Sequence, residues 1–96
     1  MHFVYIIYSE KLDRYYIGET EDFNRRLIEH NTSFFKNSFT TITKDWVEFL
    51  KICCLDRTEA RKLENFIKKM KNRSFIQRLK NEENMVLDIL KKIRGA

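Results

Sequence analysis

The chain has 96 residues and a formal net charge of +5, which is enough for one small domain with a modest core. It contains no apolar run of 18 residues, which excludes a membrane-spanning helix, and its two histidines are too far apart for a zinc-type ligand cluster. Residues 1–56 hold 7 Lys/Arg against 9 Asp/Glu, whereas residues 57–96 hold 12 against 5. This imbalance favours a polyanionic partner such as nucleic acid, and the alternative is a helical surface that uses lysine only for solubility.

Two strands are predicted at the start of the chain. Residues 3–8, FVYIIY, are β-branched and aromatic without polar breaks, which is typical of a strand covered on both faces. The polar stretch SEKLDR follows as a turn, and residues 15–19, YYIGE, form the returning strand of a hairpin. Gly18 in this strand indicates a bulge, or a close approach by another backbone or a ligand.

A first helix is predicted after the hairpin, with Thr20 as its N-terminal cap and its end at about residue 31. Its expected buried side consists of Phe23, Leu27 and Ile28. Residues 31–44 are polar with scattered Phe and no clear period, which predicts a loop. A loop this long in a small domain is often functional or mobile.

Residues 46–54, WVEFLKICC, predict a third strand with Trp46, Leu50 and Ile52 on one face. Cys53 and Cys54 are neighbours at its end, and on a strand their side chains point to opposite faces. A disulfide between them would be strained. They are therefore predicted to be small buried thiols in a reducing, cytoplasmic environment.

Three helices are predicted in the second half. Asp56 and Glu59 resemble a capping box, and the helix that they begin repeats Ala60, Leu63, Ile67 and Met70 at helical spacing. Residues 73–80 predict a short helix, and residues 83–94 predict a last amphipathic helix that either covers the core or serves a dimer. The order β-β-α-β-α-α-α predicts a single α+β domain over residues 1–96, with a small three-stranded sheet covered by helices.

Two tyrosines are expected to meet on one face of the hairpin. By alternation, Tyr5 shares a face with Phe3, and Tyr16 shares one with Gly18. If the turn is centred in SEKLDR, Tyr5 and Tyr16 come nearly opposite one another. For an arbitrary hairpin, such a pair is more often an aromatic contact that stabilises the sheet.

One arginine and one glutamate could join these tyrosines. Arg26 lies one turn after Phe23, on the shoulder of the buried stripe, although a solvent-facing arginine is the commoner case; Arg25 points further into solvent. Glu64 lies at the edge of the apolar stripe of its helix. It either pairs with Lys68 at i+4 or ligates a divalent metal, for which one carboxylate is sufficient.

Together these residues match the requirements of phosphodiester hydrolysis. A metal ion neutralises charge and holds the scissile phosphate. An arginine stabilises the additional negative charge of the transition state. A hydroxyl group handles a proton or positions the attacking water.

The same residues resemble the GIY-YIG endonuclease domain. The resemblance rests on FVY at 3–5, YIG at 16–18, Arg26 ten residues after Tyr16, and LENFIKK at 63–69. It covers roughly residues 1–80 and is closest to the small stand-alone bacterial members. The YIG element is intact, whereas Phe3 and Val4 replace the Gly-Ile of the first element.

The resemblance implies a three-stranded antiparallel sheet flanked by helices and a metal-dependent endonuclease that hydrolyses phosphodiester bonds in DNA. Carried over residue by residue, it implies a catalytic site of Tyr5, Tyr16, Arg26, Glu64 and His30. Glu64 would hold Mg²⁺ or Mn²⁺, and Arg26 would contact the phosphate. Tyr5 is favoured as general base or water-positioning group, with Tyr16 orienting the water or phosphate; His30 either transfers protons or only binds.

Two positions depart from the family pattern: Glu19 stands where some members carry lysine, and Asn72 is a weak counterpart of an asparagine that follows the metal-binding helix. The substrate is expected to be DNA, with RNA as an alternative, and to include structured or damaged DNA in repair or recombination. A catalytically weak nucleic-acid-binding module of the same fold is the alternative function, and a protein-interaction domain is a third. The residues expected to contact backbone phosphate include Lys62, Lys68, Lys69, Lys71 and Arg73.

Overall fold

The computed structural model describes residues 1–32, 39–70 and 72–95. Three strands form one antiparallel sheet in the order β2-β1-β3, so that the first strand is central. Four helices flank this sheet, and the element order confirms the predicted α+β fold. The strands are β1 (His2–Ser9), β2 (Arg14–Thr20) and β3 (Val47–Cys54).

The helices also follow the predicted order. No helix among the described residues is long and apolar enough to cross a membrane. Of the predicted loop at 31–44, residues 33–38 lie outside the described residues, and Phe39–Ile42 form a 3₁₀ turn. The helices are α1 (Phe23–Asn31), α2 (Arg57–Met70), α3 (Arg73–Asn81) and α4 (Glu83–Gly95).

The hairpin turn is centred in SEKLDR, as predicted, but Tyr5 and Tyr16 are two residues out of register. Ser9 pairs with Arg14, and this register places Gly18 opposite Tyr5 and Tyr16 opposite Ile7. Tyr5 and Tyr16 are therefore diagonal neighbours and not opposite one another. Since side chains alternate with a period of two, a shift of two residues keeps both phenols on the same face.

The first helix begins two residues later than predicted, at the cap Asp22 instead of Thr20. The Asp22 carboxylate accepts a hydrogen bond from the Arg25 N–H at 3.1 Å, whereas the Thr20 hydroxyl donates to the Asp22 carbonyl at 3.2 Å. Phe23 is buried as predicted, but Ile28 is exposed and His30 is buried.

The sheet separates two apolar clusters. The larger cluster packs α2, α3 and α4 against the face that carries Val4 and Ile6. The smaller cluster packs α1 against the face that carries Tyr5 and Ile7. Helix α4 contributes Ile89 and Leu90 to the larger cluster, so it covers the core.

Strand β3 does not keep the predicted alternation. The register shifts between Ile6 and Ile7, so Phe49 is the residue left out of the pairing with β1. Trp46 lies before the strand in the smaller cluster, whereas Leu50 packs against the larger one. The cysteines are free, as predicted, but only Cys54 is buried; Cys53 is exposed.

Helices α2 and α3 each have a side-chain cap at the N-terminus. Asp56 accepts a hydrogen bond from the Glu59 N–H at 2.8 Å, as in the predicted capping box. The Glu59 carboxylate, however, accepts from the Leu55 N–H at 3.0 Å and also binds Arg94 of α4. Asn72 accepts from the Phe75 N–H at 3.3 Å, which makes it the cap of α3.

Candidate active site

The Tyr5 phenol lies at the centre of the site, between β2 and α1. Its side chain is 1% exposed, and its hydroxyl is 2.8 Å from His30 Nε2. The Phe23 ring centroid lies 5.5 Å from that of Tyr5. Both contacts come from α1, and the phenol has almost no access to solvent.

The Tyr5 ring fits against β2 because residue 18 is glycine. A Cβ at this position would lie 2.6 Å from Tyr5 Cζ, well inside van der Waals contact. The close approach at Gly18 is therefore made by the Tyr5 phenol ring of the neighbouring strand, and not by a backbone or a ligand as predicted. Ordinary backbone conformations suffice here, because Gly18 has no positive φ.

His30 continues a hydrogen-bond chain into the following segment. Its Nδ1 is 2.7 Å from Thr40 Oγ1, and its ring is 2% exposed. Burial and the nearby Arg26 guanidinium lower the pKa of His30 to about 4. The imidazole is therefore neutral near pH 7, so one of its nitrogens donates and the other accepts along the Tyr5–His30–Thr40 chain.

The segment that carries Thr40 is fixed by Trp46 and Asn31. The Trp46 indole N–H donates to the Thr40 carbonyl at 2.9 Å. The Asn31 side-chain amide donates to the Trp46 carbonyl and accepts from the Trp46 N–H, each at 2.9 Å. Thr40 and Trp46 were not predicted as site residues, since the segment between α1 and β3 has no periodicity from which to infer its contacts.

Tyr16 is the more accessible of the two phenols. Its ring centroid is 6.4 Å from that of Tyr5, 5.0 Å from that of His30 and 6.5 Å from that of Trp46. It is only partly buried. Tyr15, its neighbour, packs on the opposite face of the sheet, with its ring centroid 4.9 Å from that of Phe49.

Several groups of the site shift the pKa of Tyr5. Burial raises the pKa of the Tyr5 phenol strongly, and Tyr16 raises it further. The Arg26 guanidinium lowers this pKa, whereas the carboxylates of Glu64 and Glu19 raise it. Side chains from β2, α1 and α2 are therefore close enough to act on one phenol of β1.

Arg26 and Arg25 differ as the helix geometry predicts. The Arg26 side chain is 34% exposed and lies 3.4 Å from a Glu29 carboxylate oxygen, Nε to Oε1. The Arg25 side chain is 71% exposed and contacts the same glutamate at 3.5 Å. Arg26 is thus the one arginine of this pair that borders the Tyr5–His30 chain.

Glu64 is paired with Lys68, with Oε2 2.7 Å from Nζ. The Glu64 side chain is 16% exposed, so its carboxylate is partly shielded, whereas the Lys68 side chain is 50% exposed. Within the described residues, no group of three or more His, Cys, Asp or Glu is arranged to hold a metal ion. A site for Mg²⁺ does not require such a group, because water and substrate phosphate fill most of its octahedron.

The donor chemistry at Glu64 therefore fits a hard divalent cation. A carboxylate oxygen is the ligand type that Mg²⁺ and Mn²⁺ take. The Lys68 ammonium already places one positive charge against this oxygen. Because the Lys68 side chain is half exposed, it would have room to turn into solvent if a cation took its place.

The other predicted nucleic-acid contacts do not all gather at this site. Lys62 and Lys69 are exposed but lie about 140–160° around α2 from Glu64. Lys71 lies outside the described residues. Arg73 instead reaches back to the hairpin turn, where its Nη1 is 3.1 Å from Asp13 Oδ2.

The two residues that depart from the family pattern, Glu19 and Asn72, both make contacts within this chain. Glu19, which stands where some members carry lysine, contacts His2 and lies 3.8 Å from Arg57 Nε. Asn72 uses its side-chain oxygen to cap α3. Both residues are thus engaged in contacts of this chain.

The chain is thus a small α+β domain in which two tyrosines, an arginine and a carboxylate lie near one another. This is the kind of domain that the YIG element and its spacing to Arg26 predict. A family model of the GIY-YIG catalytic domain matches residues 1–91. The chain therefore belongs to the GIY-YIG family, whose catalytic domain is of the nuclease type. The comparisons with curated proteins and with solved structures give no match.

Proposed function

We propose that this protein is a divalent-metal-dependent endonuclease that hydrolyses phosphodiester bonds in DNA. The nuclease-type family supports the reaction class. The observation that carries the proposal is the buried Tyr5–His30 pair beside Tyr16, with the Arg26 and Glu64 charges near enough to shift the pKa of Tyr5. A phosphate bound there would meet a cation, a carboxylate and a hydroxyl from three separate elements.

Arg26 is the proposed phosphate ligand. Its guanidinium is partly exposed beside the buried Tyr5–His30 chain, so a substrate can reach it. A guanidinium donates to two phosphate oxygens at once. It would stabilise the negative charge that develops on these oxygens as the attacking water adds.

The two tyrosines are assigned different roles. The sequence favours Tyr5 as general base, but its hydroxyl is buried, bonded to His30 and has a raised pKa. A phenol in this position has poor access to water. We therefore assign contact with the attacking water or the phosphate to Tyr16, and the positioning of Tyr16 and His30 to Tyr5.

Glu64 is the proposed ligand of Mg²⁺ or Mn²⁺. A cation bound there would neutralise phosphate charge and lower the pKa of a coordinated water. The contribution of the chain is a partly shielded carboxylate, held at the edge of the α2 stripe beside buried Leu63. Lys68, displaced from this carboxylate, would be available to contact a neighbouring phosphate.

The alternative is a nucleic-acid-binding module of the same fold with weak catalysis. Two contacts favour this alternative: the Glu64 carboxylate is already paired with Lys68, and the buried Tyr5 hydroxyl is already hydrogen-bonded to His30. The partly exposed Arg26 and Tyr16 favour the enzyme. Salt-dependent DNA binding without cleavage, across metals and substrates, would support the module.

The test compares the two adjacent arginines. Plasmid, branched DNA and an RNA of matched sequence are incubated with Mg²⁺ or Mn²⁺, and the cleavage rate is followed on gels. Arg26→Gln is expected to lower the rate of DNA cleavage by about 100-fold or more. Arg25→Gln removes the same charge from the more exposed neighbour and is expected to stay within about threefold of wild type. Equal losses in both variants would contradict the assignment of Arg26.

A further inference from the structure

Thr40 lies at the inner end of the hydrogen-bond chain, and the mechanism proposed above gives it no role. Its side chain is completely buried, and its Oγ1 is 2.7 Å from His30 Nδ1. The other imidazole nitrogen, Nε2, is 2.8 Å from the Tyr5 hydroxyl. His30 is therefore held between two hydroxyl groups, one on a phenol and one on an aliphatic alcohol.

Both phenols of the site depend on the position of the His30 ring. Tyr5 is hydrogen-bonded to its Nε2. The Tyr16 ring meets the imidazole edge-on, with the two centroids 5.0 Å apart and the planes inclined by 60°. A rotation of the imidazole, or a shift of its proton from one nitrogen to the other, would therefore disturb Tyr5 and Tyr16 together.

The chemistry of the two hydroxyl groups favours one direction along the chain. A phenol is a stronger acid than an aliphatic alcohol, so it is the better hydrogen-bond donor. Its oxygen shares electrons with the ring, so it is the poorer acceptor. A neutral imidazole has one donor and one acceptor nitrogen. The favoured arrangement is thus a bond from the Tyr5 O–H to Nε2 and a bond from Nδ1–H to the Thr40 oxygen.

The position of Thr40 is itself fixed by the segment before β3. The Trp46 indole N–H donates to the Thr40 carbonyl at 2.9 Å. Asp45 connects the same segment to the hairpin turn, because its carboxylate accepts hydrogen bonds from the Ser9 hydroxyl at 2.6 Å and from the Lys11 N–H at 2.9 Å. The Thr40 oxygen is therefore held at a defined place beside Nδ1 before any substrate binds.

We propose that Thr40 is a positioning residue of the active site: its oxygen accepts the Nδ1–H of His30 and so fixes the tautomer and the plane of the ring that orients Tyr5 and Tyr16. The hydrogen bond made by one ring nitrogen decides which nitrogen carries the proton. Thr40 acts through His30 and does not contact the substrate. Its effect on cleavage rests on the proposed nuclease function, whereas the tautomer is a property of the free protein.

The first measurement identifies the protonated nitrogen of His30 without substrate. Long-range proton–nitrogen correlation spectra near neutral pH distinguish the two tautomers, because the nitrogen that carries the proton resonates apart from the bare one. His2 is the other histidine of the chain, and His2→Gln assigns its signals. Wild type and Thr40→Ser are expected to hold the proton on Nδ1. Thr40→Val keeps the shape but removes the acceptor, so it is expected to move the proton to Nε2.

The second measurement is single-turnover cleavage of DNA in Mg²⁺. Thr40→Val is expected to lower the rate by about 10-fold or more, because the phenols lose their fixed orientation, and Thr40→Ser is expected to recover most of it. The control is Thr43→Val in the same segment, since the buried Thr43 hydroxyl donates instead to Asp45 Oδ1 at 2.7 Å. This control also loses a hydrogen bond and is destabilised, but its rate is expected to stay within about threefold of wild type.

The outcomes separate this inference from the proposed function. A proton on Nε2 in wild type overturns the inference, and so does a proton that stays on Nδ1 in Thr40→Val. Equal losses of cleavage in Thr40→Val and Thr43→Val also overturn it, because they would reflect a general loosening of the segment. If wild type does not cut DNA, the proposed function fails and the spectra alone decide whether Thr40 sets the tautomer. Thr40→Cys, whose sulfur is a weak acceptor, takes the place of Thr40→Val if the latter does not fold.

Discussion

Gly18 shows how one residue of the motif serves the site. The Tyr5 ring lies where a side chain at position 18 would be, which brings the phenol to His30 and beside Tyr16. The glycine is thus needed for the packing of a tyrosine from the adjacent strand. A sequence shows that a glycine interrupts a strand, but only the register shows which residue fills the space.

Gly18→Ala is expected to lower the free energy of unfolding by about 1–3 kcal/mol, because the new methyl group overlaps the buried Tyr5 ring. DNA cleavage is expected to fall as well, since Tyr5 must move away from His30. Gly95→Ala is the matched control, since a Cβ there meets nothing within 4 Å. Urea unfolding measures both variants. Equal effects of the two substitutions would show that steric contact with Tyr5 is not the cause.

His30 makes a pH-dependent contribution with a defined sign. The folded protein holds the pKa of His30 at about 4, whereas an unfolded histidine has a pKa of about 6.5. The unfolded chain therefore binds the proton first, and stability falls as the pH falls from about 6.5 to about 4. Above pH 6.5 this contribution is fully present.

His30→Gln is expected to remove up to about 1.4 kcal/mol per pH unit from the dependence of stability on pH in this window. Urea unfolding of wild type and variant at pH 5.0, 5.75 and 6.5 measures the difference, in a range where most carboxylates stay ionised. The variant's overall loss of stability is not the readout. Parallel curves for the two proteins would mean that His30 titrates normally in the folded state.

At the scale of elements, an ion pair between buried Glu59 and partly exposed Arg94 connects the last helix to α2. Glu59 at the start of α2 accepts hydrogen bonds from Arg94 of α4 at 2.7 and 3.0 Å. The Arg94 guanidinium, with a further hydrogen bond from the Leu55 N–H, holds the pKa of Glu59 below its ordinary value. This contribution is present above the ordinary glutamate pKa and is lost as the pH falls through the lowered one.

Arg94→Met is expected to lower the free energy of unfolding by about 1–3 kcal/mol, because it leaves a buried carboxylate without its charged donor. The control is Arg78→Met, since Arg78 forms an ion pair with Glu82 at the same 2.7 Å distance. The Glu82 side chain is 51% exposed, against 7% for Glu59, so the control is expected to change stability by only about 0.5 kcal/mol. Similar losses in thermal or urea unfolding would show that α4 does not depend on this contact.

The element order could be predicted from the sequence because each element carries its own local signal. Apolar spacing at Ala60, Leu63 and Ile67 identifies α2, and the uninterrupted FVYIIY identifies the central strand. The exact partner of each residue is set by strand pairing: the turn centred in SEKLDR puts Gly18, and not Tyr16, opposite Tyr5. The bulge at Phe49 is likewise set by pairing with β1 and leaves no local pattern.

At the scale of the whole molecule, the two faces of the sheet have different roles. The larger cluster with α2, α3 and α4 supplies most of the core, whereas the smaller cluster with α1 holds the polar chain Tyr5–His30–Thr40. The site lies at the boundary, where β2 is the edge strand. The candidate site is therefore built at an edge of the sheet and not at its centre.

The members of the site could be proposed from spacing, but their environments could not. The sequence puts Tyr5, Tyr16 and Arg26 near one another through strand alternation and helix position. It does not reveal that Tyr5 is buried against His30, that Glu64 pairs with Lys68, or that Thr40 completes the chain. These contacts depend on how α1 and the segment before β3 pack on the sheet, which is a long-range property of the fold.

The most direct measurement of the central claim is single-turnover cleavage of DNA by Glu64→Gln in saturating Mg²⁺ and in Mn²⁺. The substitution keeps the size of the side chain but removes the charge that would hold the cation, so the rate is expected to fall by about 100-fold or more. Glu83→Gln, an exposed carboxylate in the first turn of α4, is the control and is expected to stay within about twofold of wild type. If Glu64→Gln cuts DNA as fast as wild type in either metal, Glu64 is not the metal ligand and the proposed site is wrong.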